Sequence, residues 1–399
     1  MTLLAADPVT GSCCDVPWAS ARELAHAAPR PLSARQVPLA GAAGLTLTEQ
    51  LCTLQPMPAF DTAAMDGYAV GPGSGPWRLR GTVRAGADPA GDALGVAEAV
   101  EISTGAPVPP GARGVLPLEH ALRDGAMVCG PIPAKGRHIR RAGEDAPAGA
   151  CLAPAGTRVG PALIGLAAAC GHDTLPVRRR PRVCALVTGD ELTHTGLPGP
   201  GRVRDALGPL LSPLIDTLGG EVTAVHHVPD RPAGSLATAV NTTPYEADVV
   251  LVTGSTSAGA TDQLRALLRE SGARWIVDTV ACRPGHPQLL TQLPDSRWIL
   301  GLPGNPYAAL AAAHTLLAPL LAGLTGRPLP TLPRISLAGD IRTAPGRTRL
   351  IPVVWDGATA RPAGGHRPAF LQGAALADAL AAVPSEWQPG EAVPLLLLS

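Results

Sequence analysis

Three polar, glycine-bearing loops each follow a short apolar run, and their residue types suit a phosphate together with a hard cation. Val183–Val187 leads into Thr188, Gly189, Asp190 and Glu191; Ala247–Val252 leads into a loop from Thr253 to Thr261; Trp298–Leu302 leads into Pro303, Gly304, Asn305 and Pro306. In the second loop Gly254, Ser255, Thr256, Ser257, Ala258 and Gly259 offer backbone N–H groups and hydroxyls ahead of a helix, where orphan amides and the helix dipole favour an anion. An ordinary strand-to-helix turn has a similar composition, and this loop holds neither G-x-G-x-x-G nor G-x-S-x-G. Asn305 and Pro306 fit a helix cap followed by proline at the first helical position, while Gly304 lets backbone approach a ligand closely. Asp190 and Glu191 offer carboxylate oxygens to a cation such as Mg²⁺, and Asp230 and Asp262, near neighbouring strand ends, extend the acidic rim. Asp262 also suits an N-cap, but the acids together exceed what capping requires.

Elsewhere the chemistry-bearing residues read more plainly. Asp66-Gly67, Thr104-Gly105 and Gly143-Glu144-Asp145 look like turn formers, and His138, Arg140 and Arg141 form a basic cluster suited to a surface. The remaining histidines, His226 and His227 among them, show no local metal spacing and default to core or surface positions. Eight cysteines (Cys13, Cys14, Cys52, Cys129, Cys151, Cys170, Cys184 and Cys282) include no C-x-x-C pair, which argues against a zinc ribbon or a redox dithiol. Lys135, the single lysine, sits in Ala-Lys-Gly-Arg, so a Walker-type phosphate loop is absent.

The elements that must position these residues alternate between strand and helix from Pro181 to about Arg327. Pro209–Leu218 and Asp262–Arg269 read as helices, and Glu221–Val228 as a strand. Near-continuous apolar strands alternating with helices indicate a doubly wound parallel sheet whose ligands gather at the carboxyl ends of the strands. Tyr307 to Leu324 approaches membrane-span length but contains His314 and Pro319, so a buried core helix is expected. Short β-like runs at Tyr68–Val70, Trp77–Leu79, Val96–Ile102 and Gly114–Leu118 suggest a small β-rich domain. Pro161–Cys170 reads as a helix, and Arg334–Leu337, Leu350–Trp355 and Ala392–Leu398 suggest a small C-terminal β domain.

With 399 residues, a prior of roughly 100–200 residues per domain gives several domains. The 46 glycines and 44 prolines indicate many turns, while the 46% hydrophobic content argues for a folded chain. Lys+Arg 32 against Asp+Glu 32 leaves no overall charge for nucleic acid or an anionic membrane. The stretch from Met1 to Asp15 lacks a basic leader, which with the unpaired thiols points to the cytoplasm.

Read in order, the loops resemble the MoeA family of molybdopterin molybdenumtransferases, related to the C-terminal domain of gephyrin. The resemblance runs through Phe60 to Val70 (FDTAAMDGYAV), Ser103 to Pro109 (STGAPVP), Ile139 to Asp145 (IRRAGED), Thr188 to Leu192 (TGDEL) and Leu302 to Pro306 (LPGNP), and spans about residue 16 to 399. It implies an elongated, dimeric α/β multidomain protein. Residues 1–55 with 136–178 would form a mixed N-terminal domain, 56–135 a β-rich domain, 179–327 a MoaB/MogA-like doubly wound α/β domain, and 328–399 a small β-barrel-like domain. The implied reaction inserts molybdate into the dithiolene of adenylylated molybdopterin, with Mg²⁺ assisting and AMP released. The resemblance implies a cleft between the α/β domain of one subunit and the β-rich domain of the other. Asp66, Thr104, Asp145, Glu191, Asp230 and Asp262 would then be catalytic, with Asp190, Glu191 and Asp262 near the metal. Other molybdenum-cofactor enzymes would be possible partners.

The sequence departs from the family pattern on the anion side. The family's lysine-rich molybdate motif is Arg283-Pro284-Gly285-His286-Pro287, and its Tyr-Asp-Ser/Thr-Asn is Arg204-Asp205-Ala206-Leu207. The serine expected near the end is Ala374, and of two arginines expected after Pro345 only Arg347 matches. Arginine still binds an oxyanion, whereas a histidine is mostly neutral at pH 7. A paralogue that binds a pterin nucleotide or a partner without turnover, as a carrier or regulatory module, is therefore the alternative. A generic nucleotide-binding α/β enzyme is a third reading.

Overall fold

The computed structural model describes residues 15–88, 92–244, 246–254, 263–365 and 367–398. The chain divides into two compact units: one takes residues up to Arg35, 44–48 and everything from Arg178, and the other takes 36–43 and 49–177.

In the first unit, helix α1 (Trp18–Ala27) precedes a six-stranded sheet. Its strands are β1 (Arg182–Thr188), β2 (Glu221–Val228), β3 (Val249–Thr253), β4 (Arg274–Val277), β6 (Leu289–Gln292) and β7 (Trp298–Leu302), in the spatial order β2-β1-β3-β7-β6-β4. A further strand, β5 (Val280–Arg283), leaves this sheet. Strands β2, β1, β3 and β7 are mutually parallel, and β6 and β4 add an antiparallel edge. The expectation of a parallel sheet thus holds for its centre and fails at this edge, a common mixture in α/β sheets. Helices α2 (Leu207–Leu218), α3 (Ser235–Thr242) and α4 (Gln263–Glu270) connect the strands. The two core strands β3 and β7 are buried at every position because both faces of the sheet are covered, which is why they read as unbroken apolar runs.

Helix α5 (Pro306–Thr325) lies almost wholly inside this unit. It packs its apolar surface against strands, α1 and the C-terminal strands within one core containing Val187, Leu251, Leu300, Leu316, Leu320 and Leu380. A membrane-length apolar helix is therefore a core helix here, as its sequence suggests. A π turn at Ala313–Leu317 interrupts its regular ladder, and α1 satisfies polar groups there. Trp18 Nε1 donates to Thr315 Oγ1 at 3.1 Å, and the Arg22 guanidinium donates to the His314 carbonyl at 2.7 Å.

The C-terminal strands are β8 (Arg334–Leu337), β9 (Thr348–Trp355), β10 (Thr359–Pro362), β11 (Ala379–Val383) and β12 (Ala392–Leu397). They pair in the cycle β9-β10-β8-β12-β11-β9, a closed five-stranded barrel around Val353, Ala381, Trp387 and Leu395. A separate ladder crosses from Val16–Pro17 to β5 and then to β9, pairing Cys282 with Thr348 and Arg283 with Arg349.

The second unit is built on a six-stranded sheet in the order Leu122–Asp124, Met127–Cys129, Trp77–Val83, Glu98–Ile102, Gly67–Val70, Gly114–Pro117. Strand Glu98–Ile102 begins later than its apolar pattern suggests because Ala97 adopts a left-handed φ of 58°.

Burial holds His314 neutral: its pKa is lowered to about 4 by desolvation and by the Arg22 charge. The unfolded chain binds a proton near pH 6.5 and the native state does not, so stability falls as pH drops from about 6.5 towards 4, by about 3 kcal/mol in all. Denaturant unfolding across that range is expected to show this loss in the native sequence and a flatter dependence in His314→Leu; equal slopes would contradict it.

Candidate functional site

The carboxyl ends of β1, β3 and β7 line a cavity of about 640 Å³ through Thr188, Glu191, Gly254, Gly304 and Asn305. That volume suits a small-molecule ligand, and the position matches the general rule for α/β sheets. The sheet places these loops side by side because β3 lies between β1 and β7.

Backbone approach is close at the floor. Gly254 has φ +86°, and a Cβ there would lie 2.3 Å from Thr188 Oγ1. Thr188 itself donates to the Thr253 carbonyl at 2.7 Å, so the hydroxyl at the end of β1 fixes the end of β3. The Gly254 amide donates to the Leu302 carbonyl at 3.2 Å, which ties β3 to β7 in turn. Pro306 begins α5, but the Asn305 side chain makes no capping hydrogen bond and stands on the cavity wall. Its cap position is ordinary, and its side-chain amide makes no hydrogen bond among the described residues.

The acidic rim is organised by a reciprocal pair. The Asp230 amide donates to Asp190 Oδ1 at 2.9 Å, and the Asp190 amide donates to Asp230 Oδ2 at 3.3 Å. This holds the ends of β1 and β2 together and leaves Asp190 Oδ2, 3.8 Å from Arg231 Nε, at the surface. The Glu191 carboxylate folds over Gly189, whose φ of +146° and lack of a Cβ make room for it. Two exposed carboxylates on one strand end are hard oxygen donors of the kind that Mg²⁺ accepts. Ser255, Thr256, Ser257, Gly259 and Asp262 lie outside the described residues.

Arg283, Gly285 and His286 form a turn after β5, pinned by a fully buried Gln288 whose amide donates to the Gly285 carbonyl at 2.9 Å. His286 Nε2 is 2.8 Å from Asp15 Oδ1, and Arg347 reaches Asp15 Oδ2 at 3.5 Å. Burial opposes ionisation of Asp15, yet hydrogen bonds from His286 and Thr279 hold its carboxyl below the usual range. Asp15 thus supplies a carboxylate between two side chains expected to meet an oxyanion. Sequence reasoning missed both Asp15 and Gln288: Asp15 lies 271 positions from His286, and a lone glutamine beside the turn forms no motif.

In the second unit, register pairs Gly67 with Ile102, which puts Asp66 beside the residues following that strand. Asp66 Oδ1 accepts hydrogen bonds from the Thr104 amide at 2.7 Å and its hydroxyl at 3.1 Å. Asp145 forms an exposed ion pair with Arg140.

Comparison with known proteins matches three regions of the chain. Residues 16–171 match the MoeA N-terminal region (domain I and II), 184–323 the probable molybdopterin binding domain, and 334–398 the MoeA C-terminal region (domain IV). A molybdopterin molybdenumtransferase of Synechococcus elongatus is 35% identical over 312 residues, covering 75% of this chain and 77% of its own. Molybdopterin molybdenumtransferase 2 of Mycobacterium tuberculosis is 34% identical over 319 residues, with the same two coverages of 75% and 77%. The crystal structure of a molybdopterin biosynthesis MoeA protein from Pyrococcus horikosii superposes with a TM-score of 0.75 at 27% identity, over 97% of this chain and 100% of that one.

The Gly254 contact yields a direct expectation. Gly254→Ala should destabilise the protein by about 1–3 kcal/mol through overpacking and backbone strain, as read by denaturant unfolding. A second substitution, Thr188→Ala, should recover part of that loss; no destabilisation in the single variant would contradict the contact.

Proposed function

We infer that this chain, which belongs to the MoeA family, is a molybdopterin molybdenumtransferase that inserts molybdate into the dithiolene of adenylylated molybdopterin and releases AMP. The observation that carries the reading is the convergence of three glycine-bearing strand ends on one cavity of about 640 Å³, in a chain with these relatives. The substrate brings its own sulfurs, so the protein has to bind phosphate, position an oxyanion and assist hydrolysis of the phosphoanhydride.

Thr188, Gly189, Gly254, Pro303, Gly304 and Asn305 are proposed to hold the pterin nucleotide, with Ser255, Thr256, Ser257 and Gly259 extending the cradle. Asp190, Glu191 and Asp262 would hold Mg²⁺, whose charge would favour departure of the adenylate. Arg283, Gly285, His286 and Arg347 are proposed to receive molybdate. Asp66, Thr104, Asp145 and Asp230 are proposed as catalytic positions in a homodimer. The proposed subdivision of the chain remains 1–55 with 136–178, 56–135, 179–327 and 328–399. All six cysteines of the described residues are free thiols, which supports a cytoplasmic setting.

Purified protein supplied with adenylylated molybdopterin and Mg²⁺ is expected to release AMP in a molybdate-dependent manner. Glu191→Gln should slow that release by about 100-fold or more, in the range of a lost acid–base or metal-ligating carboxylate. Tight substrate binding with no release from the native protein would overturn the reading in favour of a non-catalytic binder.

Asp15 makes a separate expectation. Because its carboxylate already pairs with His286 and Arg347, Asp15→Asn should lower the KM for molybdate several-fold with little change in affinity for the pterin nucleotide. An unchanged or higher KM would show that Asp15 does not compete with the oxyanion.

A further inference from the structure

A second donor set stands beside the cavity, made of residues that no local pattern connects. His194 follows the short strand Leu192–Thr193, Asp205 follows Val203–Arg204, which pairs with it, and His227 lies on β2. The Asp205 side chain is 4% exposed, and its Oδ1 accepts hydrogen bonds from the Leu207 and Gly208 amides at 2.9 and 3.0 Å. Its other oxygen, Oδ2, faces His194 Nδ1 at 3.9 Å and His227 Nε2 at 3.8 Å. Both separations exceed a hydrogen bond, so the pairs are not explained as ordinary donor–acceptor contacts. The two imidazole rings meet with centroids 3.7 Å apart.

We propose that His194, Asp205 and His227 form a binding site for a divalent transition-metal ion of the zinc type, with further coordination positions open to solvent. Two imidazoles and one carboxylate are a donor set that zinc accepts, whereas Mg²⁺ prefers oxygen ligands alone. The three ligand atoms lie within 4.8 Å of one another. Bonds of about 2.0–2.1 Å in a tetrahedron put ligand atoms about 3.3–3.4 Å apart, so closure needs about half an ångström between Asp205 and each histidine and up to about 1.5 Å between the two histidine nitrogens. The half-exposed histidines can make that shift, while Asp205 is anchored by the two amides at the start of α2.

Gly208 supports the same assignment independently. A Cβ at that position would lie 2.4 Å from Asp205 Oδ2 and 3.4 Å from a His227 ring carbon, so a glycine keeps open the space over the metal-facing oxygen. Sequence spacing assigned these histidines to core or surface; the tertiary fold brings two of them to one carboxylate. The proposal does not rest on the transferase reading.

The test is equilibrium dialysis of the full chain against zinc in excess Mg²⁺, with thermal unfolding and the visible spectrum of the Co²⁺ form. One zinc per chain is expected, with a higher Tm and a cobalt spectrum lacking the near-ultraviolet band of thiolate ligation. His194→Ala and His227→Ala should each weaken binding by about 100-fold, at or beyond the effect of losing a supporting residue around a metal, while His226→Ala leaves it unchanged. Circular dichroism establishes that the variants are folded. Absence of zinc binding at micromolar concentration, binding that survives both substitutions, or a thiolate band would overturn the assignment.

Discussion

A helix that is apolar on every face has to be surrounded, and α5 imposes that requirement on the first unit. The sheet covers one side, α1 another, and the barrel a third, where the Tyr307 hydroxyl donates to the Leu350 carbonyl at 2.8 Å. Burial of so many Leu and Ala side chains is the main stabilising term, since each large apolar side chain removed from water is worth about 1.5–3 kcal/mol. The π turn introduces polar groups into this apolar surrounding. They persist because Trp18 and Arg22 reach them, and Arg22 remains charged in its buried position, with a pKa lowered only to about 10. The amino end of α5 is fixed by the same packing, which holds Gly304 and Asn305 at the cavity.

From that fixed point the cavity is assembled by short polar links between neighbouring strand ends. Leu302 accepts from Gly254, Thr253 accepts from Thr188, and Asp190 exchanges amide bonds with Asp230. Each link uses a backbone group that a strand end leaves unpaired, so the same hydrogen bonds complete the sheet and shape the cavity floor. Asp190 braces the loops through Oδ1 and stands 3.8 Å from Arg231 Nε through Oδ2, whereas the Glu191 carboxylate folds over Gly189.

The central strands were legible in the sequence because burial on both faces removes polar alternation: β1 and β7 lie where their apolar runs placed them. Strands β4 to β6 were not, because Arg274, Thr279, Arg283 and Gln292 interrupt any period, and helix α3 carries too little apolar contrast. The glycine-bearing strand ends were legible for the same local reason. Contacts between separate elements were not: Asp15 with His286, and His194 with Asp205 and His227. Side chains from separate elements meet only after the sheet has formed, and no short pattern encodes that meeting.

The ladder from Val16–Pro17 through β5 to β9 gives the barrel a boundary different from the one its chain segment suggests. Cys282 and Arg283 are paired by backbone to Thr348 and Arg349, and the next residues form the turn that carries His286. A chimaera that exchanged the C-terminal barrel alone would cut this seam and leave β5 without its partner. The transplantable part is the barrel together with β5, and the turn that carries His286 travels with the graft.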